Sequence, residues 1–176
     1  MPFTPFHMGA AMLVKPGAGS HFSVIAFALA QVIIDIEPGI EMARGSDVLH
    51  GPSHTIIGAI FIATAVALVS PWLASRIVRR WNHEVRHHKM GWLAEGEKVS
   101  RAAAIFGAFF GTLSHLVLDS MMHHDIHPLA PFSNANPLIG LVSHDGVYQL
   151  CVVMGVIGTA AWFVLKWLRR DAPAAH

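Results

Sequence analysis

The chain has 176 residues, 53% of them hydrophobic and 13% charged, with a mean hydropathy of +0.49. Soluble domains carry about 25% charged residues, so this balance excludes an ordinary water-soluble globule and points to one membrane-embedded helical domain over 1–176. The formal charge of +1, with no basic stripe interleaved with aromatics, argues against a nucleic-acid partner, and the lone Cys151 excludes an intramolecular disulfide.

The first thirteen residues lack the basic region and small-residue cleavage site of a secretory signal. Thr4 to Val14 has the length of a three-turn half-helix, ended by the Lys15-Pro16-Gly17 turn signal. Packed antiparallel to the first span, such a half-helix lifts His7 toward mid-bilayer at ~1.5 Å per residue. Non-spanning backbone at that depth has to be covered by protein or line a cavity.

Four segments then approach or exceed the ~20 apolar residues that cross a hydrocarbon core: residues 21–36, 55–74, 102–118 and 147–168. The expected fold is therefore an all-α membrane protein, about four transmembrane helices plus the short N-terminal half-helix. Gly107 and Gly111 form a GxxxG in the third segment, a surface for close helix packing. Seven basic residues fall in the loop 75–101, and Lys15, Lys166, Arg169 and Arg170 flank the same side, whereas the other two loops share only Arg44. The positive-inside rule places both termini and loop 75–101 in the cytoplasm, with loops 37–54 and 119–146 facing outward.

That topology gathers polar groups at the outward end. Asp35 and Glu37 close the first segment, His50 and His54 precede the second, and His115 and Asp119 close the third. His115 and Asp119 are four residues apart and so share one helix face. The following loop adds His123, His124, Asp125 and His127. An aspartate near a helix centre costs ~2.5–3.5 kcal/mol on insertion scales, which is why buried membrane carboxylates usually carry function.

Mixed histidine and carboxylate ligands suit zinc first, with manganese or iron as alternatives. His54, His115 and Asp119 are the expected core ligands, with Asp35, His7 and His50 completing or flanking them. A metal with an open position lowers the pKa of bound water from 15.7 toward ~7. Glu37 is the expected proton acceptor, with Asp35 beside it. Ser53 is a plausible N-cap of the second span, where free N–H groups would favour a phosphoester or lipid headgroup.

Other readings stand beside this one. The His115–Asp119 pair can instead be a buried hydrogen-bonded tie in a structural bundle, and the wider set of ligands can belong to a non-enzymatic metal-binding or transport protein. His83-Glu84-Val85-Arg86-His87 is a literal HExxH, the zincin motif, which places a protease site on the cytoplasmic side with Glu95 or Glu97 as third ligand. Its flanks, Arg79-Arg80 and His88-Lys89, read as a basic segment attracted to anionic lipid.

The ordered motifs resemble the LexA-regulated, membrane-bound metal-dependent hydrolase family of bacterial inner-membrane proteins. That family shows an early His, an Asp-x-Asp, a His-Arg-Gly-x-Thr-His-Ser motif, and Ser-His-x-x-x-Asp before a Pro-Leu-x-Pro loop. The matches are His7; Asp35 and Glu37; His50, His54 and Thr55; Ser114, His115 and Asp119; and Pro128 to Pro131. Glu37 stands where the family has Asp, and the spacing from His50 to His54 is one residue short and lacks the Arg. The resemblance implies a metal-dependent hydrolase of a bacterial inner membrane and names no substrate; the residues themselves point to hydrolysis of an ester or phosphoester at the outward face.

Overall fold

The computed structural model describes residues 5–170, all of whose regular structure is helical. Six α-helices follow in order: α1 Met8–Ala18, α2 Val24–Ile34, α3 Ile36–Arg44, α4 Ile56–His87, α5 Arg101–Met122 and α6 His144–Leu168. Among the described residues, α4, α5 and α6 are long and apolar enough to cross a membrane. The all-α fold expected for a membrane protein is what the chain adopts.

The helix starts are written in hydroxyl side chains. Ser23, Thr55, Ser100 and Ser143 each accept the backbone N–H three residues on, at 3.0–3.1 Å, and so cap α2, α4, α5 and α6. Ser53, expected as the cap of α4, is not that cap, because Thr55 sits at the actual helix boundary.

The first expected span differs most from the sequence reading. α2 has 11 residues, about 16 Å at ~1.5 Å per residue, and cannot cross alone. Pro38 has no N–H to offer the Ile34 carbonyl, so the ladder breaks at Asp35 and restarts as α3 with Gly39 bonded to the Asp35 carbonyl at 3.0 Å. α3 is amphipathic: Ile36, Ile40 and Met42 are exposed, while Glu41 pairs with Arg44 and Ser46.

α1 exists as the expected half-helix but starts later and runs through Pro16 to Ala18. Pro16 cannot bond the Met12 carbonyl, and that oxygen lies against Gly158 of α6, where a Cβ would stand 2.1 Å away. Gly19, at φ +53, ends the helix. Phe6 stacks edge-on against Tyr148 near the start of α6, whereas Lys15 and Lys166 meet Glu95 near its end. The described residues thus begin near one end of α6 and finish at the other; the two termini themselves lie outside the described residues.

The loops are shorter than expected. α4 continues to His87, so the basic segment 75–101 is half helix, and the connection is 88–100. α5 continues to Met122, leaving 123–143 as the other long connection. The 88–100 loop is strapped down: Asn82 bonds both the N–H and the carbonyl of Glu95. Burial opposes ionisation of Glu95, but Lys15 and Lys166 hold its carboxyl below the usual range.

α2, α4 and α5 pack on small residues, Ala30, Ala63, Ala67 and Ala108 among them. The expected GxxxG is the seat of α2: a Cβ on Gly107 would lie 2.3 Å from the Ser23 carbonyl, and one on Gly111 would lie 2.9 Å from Ala30 Cβ. α1 packs against α6 in the same way through Gly9, where a Cβ would meet the Cys151 carbonyl at 1.9 Å. Large side chains such as Phe61, Leu68, Trp72 and Val156 point outward, as lipid-facing residues do.

Candidate metal centre

Asp35, His54, His115 and Asp119 meet at the end of the bundle where α4 begins and α5 finishes. Each arrives for a local reason. Asp35 stands at the break that Pro38 imposes, His54 ends the 3₁₀ turn Pro52–His54, and His115 and Asp119 lie one turn apart on α5. All four are buried, none more than 3% exposed, and their donor atoms lie within 4.8 Å of one another. His115 Nε2 is 3.1 Å from both Asp35 Oδ1 and Asp119 Oδ2. His54 Nε2 is 3.6 Å from Asp119 Oδ2 and 3.9 Å from Asp35 Oδ1, with the two rings 5.4 Å apart.

The hydrogen bonds behind the rings decide what faces inward. Gln31 donates its amide N–H to the Gly111 carbonyl at 3.0 Å, so its oxygen faces Nδ1 of His115 and accepts from it. A neutral His115 ring then presents its Nε2 lone pair toward the two carboxylates. Ser53 Oγ, 2.9 Å from His54 Nδ1, holds the other ring with its Nε2 toward them. Two imidazole nitrogens against two carboxylates call for positive charge at this point, carried by a protonated ring or by a bound cation.

Further groups surround these four. His7 stands edge-on to His115, with ring centroids 4.8 Å apart, and its Nε2 is 3.4 Å from Asp119 Oδ1. The half-helix does carry His7 into the site. Nε2 of His7, His54 and His115 and Oδ1 of Asp119 are all buried without a hydrogen-bond partner. Each such group costs ~1–3 kcal/mol, and one divalent cation answers several at once. Two imidazoles and two carboxylates, with His7 adjacent, fit zinc or a harder dication.

Two expected residues sit elsewhere. Glu37, the expected proton acceptor, points its Oε2 at the Ser53 backbone N–H at 2.8 Å and fixes the turn that carries His54. It is outside the four-residue ligand cluster, and through this bond it supports the turn of His54. His50 is also outside. Its Nδ1 lies 3.0 Å from both oxygens of Asp125, and it groups instead with His123 and Asp125.

Asp125 also accepts the backbone N–H groups of Leu49 and His50. Burial works against its ionisation, but these donors and the His50 ring hold its pKa down at about 2. Of the remaining loop histidines, His124 is exposed and His127 donates to the Asn134 carbonyl. His144 and Asp145 simply open α6.

The HExxH stretch lies at the far end of α4. His83 and His87 are exposed, and Glu84 pairs with Arg80 at 2.8 Å. Glu95 is engaged by Lys15 and Lys166, and Glu97 by Arg86. These residues form no metal-binding group among the described residues.

Sequence reasoning gave Gln31 no role at the site and placed Asp125 in the outward loop without its partner His50. Gln31 had a signal, since it lies four residues before Asp35 and so one helical turn away along the same face. Replacing Gln31 with leucine is expected to weaken metal affinity by ~10–100-fold without removing a ligand. Competition against a chromophoric chelator measures this, and unchanged affinity would refute the orienting role.

Comparison with known proteins places the whole helical unit in one family. The YdjM inner membrane protein family model matches residues 4–173, nearly the full chain, and the chain belongs to that family. No curated protein and no solved structure matches it.

Proposed function

From this membership in an inner-membrane family, we propose that the chain is a metal-dependent hydrolase that cleaves an ester or phosphoester at the end of the bundle remote from the basic loop. The observation that carries the reading is the buried convergence of Asp35, His54, His115 and Asp119, with Nε2 of His54, His115 and the adjacent His7 left without a hydrogen-bond partner. A divalent cation bound there would supply Lewis acidity and bring the pKa of water from 15.7 toward ~7.

The chain's own residues do the rest. Asp35 and Asp119 bring two negative charges to balance the cation. Gln31 and Ser53 lock the rings of His115 and His54 with Nε2 inward. Glu37 holds the turn that presents His54. The three long helices α4, α5 and α6 cross the membrane in this reading, and the basic 88–100 end faces the cytoplasm.

A second reading, metal binding without catalysis, draws on the burial of all four residues, because a closed set of four protein ligands is typical of structural sites. Turnover separates the two. Purified protein loaded with zinc or manganese is expected to hydrolyse p-nitrophenyl phosphate or a p-nitrophenyl ester, and Asp35→Asn to abolish that turnover. Protein that holds a full metal complement yet turns over neither substrate above its chelated form would leave the non-catalytic reading standing.

A further inference from the structure

The imidazoles and carboxylates at this end of the bundle do not all belong to the buried centre. His50, His123 and Asp125 form a second group whose donor atoms lie within 4.8 Å of one another. His123 and Asp125 are partly exposed. The two groups adjoin, since the His50 ring stands 4.7 Å from the His54 ring on one side and 4.6 Å from the His123 ring on the other.

We infer that this second group binds its own divalent cation, so that the centre is binuclear; the inference rests on the metal-dependent reading above. Three features argue for it. Oδ2 of Asp125 already takes two backbone N–H groups, from Leu49 and His50, which fixes the carboxylate and leaves Oδ1 as the donor with spare capacity. That oxygen is 3.0 Å from His50 Nδ1. Two donors bonded ~2.1 Å from one tetrahedral ion stand ~3.4 Å apart, so only a small adjustment admits a cation between them.

The segments that carry these residues are pinned as well. Ile126, next to Asp125, is fully buried with Ile34, Ala59 and Leu116, and the Pro128 carbonyl accepts the first free N–H of α4, from Ile56, at 2.9 Å. His50 and Asp125 thus come from two loops held in register by contacts that do not involve them. A structural tie between the loops needs only the Asp125 bonds to the 49–50 backbone. It gives no account of a third donor, His123, beside them.

The second site differs from the first in the way that matters for chemistry. It has three protein donors and partial exposure, the pattern that leaves a coordination position open, whereas the first has four donors and is closed. Two adjacent dications at the outer edge of the centre favour an anionic phosphoester over an uncharged carboxylic ester. The substrate class of the proposed hydrolase is accordingly a phosphoester.

The test is metal stoichiometry by elemental analysis of full-length protein in detergent, reconstituted with manganese or zinc and freed of loose ions by gel filtration. Wild type is expected to hold two equivalents, His123→Ala one, and His115→Ala to lose the buried equivalent. The metal-free circular dichroism of each variant serves as the folding control. Asp125→Asn, which keeps one oxygen for the backbone bonds, provides a second variant expected to hold one equivalent. One equivalent in wild type that His123→Ala leaves intact would overturn the second site while sparing the first. Two equivalents retained in both His123→Ala and Asp125→Asn would overturn this ligand assignment, and no metal in wild type would overturn both readings.

Discussion

Asp119→Ala is expected to strip the buried equivalent of metal from the purified protein and to abolish hydrolysis. Asp119 alone touches every imidazole of the buried centre: its Oδ2 faces His54 and His115, and its Oδ1 faces His7. Its removal takes one of two negative charges from beneath a dication. The loss of affinity should exceed the ~10–100-fold that an outer-shell change costs.

Thermal unfolding separates this account from a purely structural tie. A ligand that binds only the folded state stabilises it by about 2.7 kcal/mol at a hundred times its Kd. Added zinc should therefore raise the Tm of wild type and raise that of Asp119→Ala by less. If metal shifts neither protein, or both equally, the pair is a structural tie and no ligand site.

The second large effect is expected at Gly107. A leucine there drives its Cβ to 2.3 Å from the Ser23 carbonyl, at the foot of α2, with no flexible side chain available to yield. Overpacking usually costs ~1–3 kcal/mol, and a backbone clash belongs at or above the top of that range. α2 carries both Gln31 and Asp35, so the displacement should cost metal as well as stability. Ile105→Leu, on an exposed face of the same helix, is the control. A Gly107→Leu protein with the Tm and metal content of wild type would show that α2 is not seated there.

These two positions also show where the sequence was informative. His115 and Asp119 announce themselves because a fixed helical period puts residues four apart on one face. Gly107 and Gly111 do so because an apolar helix has little other use for paired glycines. The half-helix followed from a length too short to span, but its seat on α6, which brings His7 to Asp119, did not. The misreadings have a common cause, which is that polar atoms near a helix end can be satisfied locally.

Glu37 carried the right chemistry for a base, but a free backbone N–H at Ser53 lay within its reach, and no spacing rule reveals that. Asp125 was hidden among loop residues with no period, and it met His50 only through tertiary packing. Pro38 was visible and would have shortened the first span, had its missing bond to Ile34 been weighed above the apolar count. HExxH was a motif without its context: its histidines are exposed at the end of α4 opposite His54.

The central claim is that helix ends brought together by packing form one His- and Asp-lined metal centre. X-ray absorption at the edge of the bound ion tests it most directly. The account expects imidazole nitrogens and carboxylate oxygens at ~2.0–2.2 Å, with the imidazole scattering reduced in His54→Ala. A sulfur shell from Cys151, or a spectrum that His54→Ala and His115→Ala leave unchanged, would contradict it.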